Sequence, residues 1–182
     1  RRARLRRKPY RRQPAVPGPP LPPRRGKKGE GRAWTRQFQY RDIEYILDAQ
    51  LRLVNTLVSG EYDRENVVPE DQIASIPTRF WFHHYAGLAA FMFGDTEKAV
   101  AHLEKGMSLT WSAPAHIDAA SCAMFFVLAL ARSSQAVAAP ETVLARVADL
   151  RQRFAGWARL NPLTFECKHL LLEAEAARLS GA

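Results

Sequence analysis

Cysteine, long apolar runs and, at one end, acidic charge are what this chain has little of. Only two cysteines occur in 182 residues, Cys122 and Cys167, far apart and without CxxC or Cys/His spacing. A disulfide framework or zinc site does not organise such a chain, and two buried free thiols in a reducing compartment are expected. The longest apolar run, Ala119 to Ala131, is interrupted by Ser121 and bounded by Asp118 and Arg132. It is too short to span a bilayer and suits a core helix. The basic N-terminus has no apolar segment behind it, so a secretory signal is not read there. Acids are almost missing from residues 1–32, which hold 13 Lys/Arg against Glu30 alone, a net of +12, while the other 150 residues carry a net of −3. That stretch also takes seven of the 12 prolines and four of the 10 glycines. Residues 1–34 are therefore expected to be a disordered Arg/Pro-rich tail, since so few apolar side chains cannot offset chain entropy. Arg, Pro, Gly and Ala are also what GC-rich codons yield, and with no early methionine the stretch reads equally as a mistranslated segment of a larger gene.

What is present, over residues 35–182, is helical periodicity throughout. Ile43, Ile46, Leu47, Leu51, Val54, Leu57 and Val58 recur at three and four residues over Gln37 to Ser59, and Gly60 ends that helix. Residues 61–77 read as the one long connection, with a short helical turn near Pro69 to Ala74. A second helix is expected from about Arg79 to Phe93 with Trp81, Tyr85, Leu88 and Met92 on its stripe. Gly94 closes it, and Asp95 is placed to cap a third carrying Ala99, Val100, Leu103 and Met107. After the turn at Pro114, the helix with Ile117, Ala120, Met124, Leu128 and Ala131 is apolar nearly all round and should be the most buried element. Ser133 to Ala139 read as a loop. Pro140 opens a helix with Val143, Val147, Leu150, Phe154 and Trp157 in step, and Asn161 and Pro162 stop it before a last helix over about Thr164 to Leu179. No segment alternates with period two, so the fold class expected is all-α: stacked antiparallel helical hairpins, a degenerate tetratricopeptide-like solenoid. The last helix ends at Ser180 and Gly181, where a partner helix would be expected, so the repeat domain is expected to be incomplete at its C-terminus.

Gly87, Gly94, Ala99, Leu103 and Gly106 follow the spacing of a tetratricopeptide unit, in which small residues let paired helices approach closely. The stretch FWFHHYAGLAAFMFGDTEKAVAHLEKGMSL, the helix after PAHIDAASCAMFF, and RFAGWARLNPLTFECKHLLLEAEAARLSG resemble the helical repeat region of large bacterial hybrid signalling proteins. Those proteins combine a serine/threonine kinase-like domain, an ATPase module, this helical region, a GAF domain and a sensor histidine kinase. The resemblance covers roughly residues 35–182 and does not reach the basic stretch. It implies a cytoplasmic scaffold or coupling segment in signal transduction, with catalysis in other domains of the parent protein.

The catalytic signatures of such a parent are not in this chain: no GxxxxGK[ST] phosphate loop, no HRD or DFG, and no histidine followed by the pattern of a phosphoacceptor helix. His83 and His84 diverge by about 100° on a helix and have no acid or histidine at i+4, so core or partly exposed histidines are expected there, as at His102, His116 and His169. Glu173 and Glu175 diverge and read as a solvated face. The aromatic residues Trp81, Tyr85, Phe91 and Phe93 read as core in preference to a binding groove. No catalytic residue, metal site or cofactor is expected. Partners are other domains of the parent, or, if the chain is a stand-alone adaptor, a protein or peptide ligand met by a surface such as Arg146, Arg153 and Lys168. Nucleic acid enters only through the basic stretch, if that is genuine, by salt-dependent phosphate contacts.

Overall fold

The computed structural model describes residues 41–62 and 72–181. The Arg/Pro-rich stretch and the turn expected near Pro69 lie outside or at the edge of the described residues. Among the described residues seven α-helices follow one another: α1 (Arg41–Ser59), α2 (Ile76–Met92), α3 (Thr96–Ser108), α4 (Ile117–Arg132), the short α5 (Ser134–Ala138), α6 (Pro140–Leu160) and α7 (Pro162–Ser180), with a 3-10 turn at Thr110–Ser112. Among the described residues there is no strand. The chain is an all-α stack of antiparallel hairpins, as its periodicity predicts.

The structure departs from the sequence reading at several helix ends. Helix α2 begins at Ile76, before Arg79: Ser75 is its N-cap, with Oγ accepting from the Thr78 N–H at 3.4 Å, and Pro77 falls in the first turn, where its missing N–H costs nothing. Asp95 does stand at the N-cap of α3, but its side chain makes no capping bond. The loop expected over Ser133 to Ala139 contains α5, whose first N–H groups need a partner from elsewhere. Glu97 of α3 provides it, accepting from the Ser134 N–H at 2.8 Å. That bond also holds the Glu97 carboxyl below its usual range.

Consecutive helices pack against each other, and in addition α2 packs on α4 and α4 on α7. Helices α2, α4 and α7 thus form one row, on which α1, α3 and α6 each pack, α6 touching both α4 and α7. The α6 and α7 pair turns on Asn161 alone. Its side chain accepts from the Thr164 N–H, and Pro162 opens α7. As expected, α4 is the most enclosed, with Cys122, Ala129 and Leu130 wholly buried. Helix α1 departs from its predicted role: of its apolar stripe, Ile43, Val54, Leu57 and Val58 are largely exposed, and only Ala49 is buried. Among the described elements it packs chiefly on α2, so one face of the stripe is covered and the rest is not.

The hairpin of α2 and α3 is set by two glycines. A Cβ at Gly87 would lie 2.6 Å from Leu103 Cγ and 3.2 Å from the Leu103 backbone nitrogen, and one at Gly106 would lie 3.0 Å from Cys122 Sγ. Leu103 is wholly buried, so its side chain has no open space to yield into. Gly94, at φ +76°, makes the turn between the two helices, a conformation that costs other residues more. Replacing Gly87 by alanine should destabilise the fold by about 1–3 kcal/mol through overpacking, read as a lower urea midpoint at unchanged m-value. An unchanged midpoint would show that α2 and α3 can separate freely.

Candidate functional site

Helices α1 and α3 both lie on α2, leaving a cleft of about 500 Å³ between them. Its floor is Phe82, Ala86 and Ala89 of α2, and its walls include Ala49, Leu53 and Thr56 of α1 and Ala101 and His102 of α3. The space exists because alanines stand where larger side chains would close it. Tyr62 and Tyr85 contribute rings at the edge, and the charged lining is Arg52, Lys98 and Glu61. The size and mostly apolar lining suit an apolar group carried on a polar ligand.

Tyr85 connects this cleft to a second polar cluster. Its hydroxyl accepts from Gln50 Nε2 of α1 at 3.0 Å, and the Asp118 carboxylate of α4 also acts on it. Burial raises the Tyr85 hydroxyl above its usual range, with Asp118 adding to the shift and the Gln50 bond opposing it. Asp118 is the centre of the α2 to α4 junction. It accepts from Trp81 Nε1 at 2.9 Å, lies 3.2 Å from His116 Nδ1, and is 4.0 Å from His84 Nε2. The Trp81 and His116 rings meet edge to face at 5.2 Å. His84 is only 1% exposed and its Nδ1 has no hydrogen-bond partner. Burial pushes its pKa below the usual histidine value, against a smaller upward pull from Asp118. A core or partly exposed histidine was expected there, and His84 is the core kind, held neutral by burial with Nδ1 left without a hydrogen bond. On the other face of α2, buried His83 meets His102 of α3 with Nδ1 atoms 3.1 Å apart, so one imidazole donates and the other accepts.

The remaining candidates from the sequence are spread over the stack. Gly87 and Gly106 lie at the close approaches of α2, Ala99 and Leu103 are wholly buried, and Gly94 forms the turn. Arg146 pairs with Glu104 of α3, also donates to Gln135, and lies over the Phe126 ring. Arg153 lies over Trp157 and Lys168 over Phe165, two rings that touch each other at 5.4 Å. The structure therefore brings Arg153 and Lys168 to one place and ties Arg146 to another. The acids read as a solvated face are structural. Glu173 accepts both Arg151 nitrogens, and these bonds depress its carboxyl. Glu175 is buried between Arg132 and Arg178, and Arg178 also reaches the Ala131 carbonyl at the end of α4. Burial alone would raise the Glu175 carboxyl, but the two arginines outweigh it and the net shift is downward. The aromatics Trp81, Tyr85, Phe91 and Phe93 do not share a groove: Trp81 faces Asp118, Tyr85 the cleft, Phe91 meets Phe125 and Phe93 stacks on Tyr62.

The cysteines differ. Cys122 is buried, its thiol pushed up to about 12 by burial and the nearby Asp118 charge, which leaves no thiolate at neutral pH. Cys167, expected to be buried, is exposed on α7. Among the described residues no group of three or more His, Cys, Asp or Glu is placed to hold a metal ion, and no helix is long and apolar enough to cross a membrane. Comparison with protein-family models, curated proteins and solved structures gives no match.

Two measurements check these environments. His84 takes up a proton less readily folded than unfolded, so the unfolded chain binds more protons just below pH 6.5, its unperturbed value. Stability contributed by the neutral ring is complete above that pH and falls as pH drops toward the depressed folded value. Between about pH 7.5 and about pH 5.5 the wild type should lose more stability than His84→Phe in parallel urea titrations. Equal losses would remove His84 as the cause. A thiol reagent on the native chain should add one adduct, at Cys167, with Cys122 reacting only on unfolding. Two fast adducts would contradict the enclosure of α4.

Proposed function

We propose that this chain is a non-catalytic helical-repeat module that works by contact, as a cytoplasmic scaffold or coupling segment of a multidomain signal-transduction protein. The observation that carries this reading is the cleft between α1 and α3, an apolar floor open to a partner on a stack whose buried polar groups serve the joints between helices. Asp118 holds α2 to α4, and Glu175 holds α4 to α7. Buried Cys122 is unsuited to act as a nucleophile. The placement in a signalling kinase rests on the sequence resemblance over residues 35–182. The same cleft favours a second reading, a stand-alone adaptor that seats one apolar side chain of a peptide between Phe82 and Tyr85.

The test is a peptide-display selection against the full chain, repeated on Ala86→Trp, which fills the cleft floor. Selected peptides should share an apolar anchor, and their affinity should fall about tenfold or more on Ala86→Trp, equivalent to about 1.4 kcal/mol. The same preparation should neither hydrolyse ATP nor autophosphorylate. ATP turnover that disappears in His84→Phe or Asp118→Asn, or peptides indifferent to Ala86→Trp, would overturn the proposal.

A further inference from the structure

The corner between α6 and α7 carries the most exposed large aliphatic side chains of the C-terminal hairpin. Leu160 and Leu163 are 85% and 98% exposed, on either side of Asn161 and Pro162. Behind them the touching rings of Trp157 and Phe165 are covered by Arg153 and Lys168, and Arg159 is exposed beside Leu160. Glu166 is the acid exposed on the same first turn of α7, so residues 153–168 carry three Arg/Lys against one Glu. The backbone at the corner is largely satisfied. Asn161 N–H is bonded to the Trp157 carbonyl at 2.8 Å, Phe165 N–H to the Asn161 carbonyl at 3.1 Å, Thr164 N–H to the Asn161 side chain, and Pro162 has no N–H to satisfy.

We propose that this corner is an interfacial anchor for an anionic lipid surface, with Leu160 and Leu163 entering the headgroup and upper acyl region and Arg153, Arg159 and Lys168 meeting lipid phosphates. The shape and chemistry select this partner. Two leucines standing almost wholly in solvent at a helix corner can enter a fluid apolar phase without a preformed partner cavity. An interface with phosphates above and hydrocarbon below matches cations set behind leucines, with Trp157 at the boundary where amphipathic rings reside. A tip where the Asn161, Thr164 and Phe165 N–H groups are bonded and Pro162 has none carries fewer bare backbone donors out of water. The leucines supply insertion and the cations supply preference for anionic lipid, each weak alone.

The experiment uses the full chain labelled at Cys167, which is exposed one turn beyond Leu163, with a dye that brightens in an apolar medium. Vesicles are phosphatidylcholine alone or with about 30% phosphatidylserine, and binding is followed by co-sedimentation and by dye emission. The expected result is a blue-shifted, brighter dye on the anionic vesicles, with little change on the neutral ones. Leu160→Ser with Leu163→Ser should reduce the apparent affinity about tenfold and abolish the shift. Both side chains stand in solvent, so circular dichroism and the melting temperature should be unchanged in that variant. Replacing Arg153, Arg159 and Lys168 by Gln should remove the preference for phosphatidylserine. The basic residues 1–32 give an outcome of their own: sedimentation with an unshifted dye, indifferent to the leucine substitutions, would place binding in that stretch and overturn the proposal. Absence of sedimentation would overturn it too, leaving an acidic protein partner as the reading of the patch.

Discussion

The close approach of α2 and α3 at Gly87 is the constraint on which the rest of the stack depends. With no Cβ in the way, the Leu103 side chain sits directly against the α2 backbone, and the two helices pack at a separation that a larger residue would not permit. Three consequences follow from that spacing. Leu103 closes the core completely, Gly106 comes within reach of Cys122 on α4, and α1 and α3 are left on either side of α2 with a gap between them. The cleft is thus the other side of the tight hairpin: α2 cannot fill the angle between its two neighbours with alanines at Ala86 and Ala89.

Apolar burial drives such a stack together but does not by itself fix which turn of one helix meets which turn of the next. The polar groups do that here. Trp81 must reach Asp118, Arg132 must reach Glu175, Arg178 must reach the Ala131 carbonyl, and Glu97 must reach the start of α5. A slip of one turn would break the Trp81 to Asp118 and Arg132 to Glu175 bonds and leave the buried Glu175 carboxylate short of a partner, at about 1–3 kcal/mol for an orphaned buried donor or acceptor. The α2 to α4 and α4 to α7 joints therefore each carry a registering contact, while the aliphatic residues around them remain interchangeable in kind. His84 is a buried ring whose Nδ1 has no hydrogen-bond partner beside Asp118, and its depressed pKa makes the α2 to α4 joint one place where stability responds to acid, the paired carboxylates Glu173 and Glu175 being others.

The parts legible in the sequence are those governed by nearest neighbours along the chain. Gly94 announced the hairpin because a tight turn needs a left-handed residue. The unbroken apolar character from Ala119 to Ala131 announced α4 because only a helix covered on all sides tolerates it. What was not legible depended on distant residues. Helix α5 is too short to be seen as periodicity and is secured by Glu97, 37 positions away. Pro77 suggested a loop because Ser75 had to be recognised as the cap before the proline could be placed in a first turn. Glu175 looked solvated because its two arginines lie on α4 and later on α7, and the exposure of half the α1 stripe depends on how few helices cover it. The cleft left only a faint trace, the alanines at Ala49, Ala86, Ala89 and Ala101, since absence of volume carries no period of its own.

The cleft and the α2 to α4 joint are not independent. Tyr85 lines the first, takes a hydrogen bond from Gln50 of α1, and is acted on by Asp118 of the second. An occupant larger than the cleft displaces α1, and with it Gln50, or presses on the Tyr85 ring. Either movement alters the surroundings of Asp118, which also holds Trp81 and faces His84. The α6 and α7 hairpin has its own registering pair, Arg151 with Glu173, and it ties to α4 through Arg132, Glu175 and Arg178 at the end opposite Asp118, and through Arg146, which lies over Phe126 and pairs with Glu104 of α3. Contiguity of contacts is necessary for coupling and not sufficient, since a relay also needs an element with two arrangements of similar free energy. The joint with a neutral buried histidine beside a carboxylate is where this fold comes nearest to having one, and it lies in the same half of the stack as the cleft.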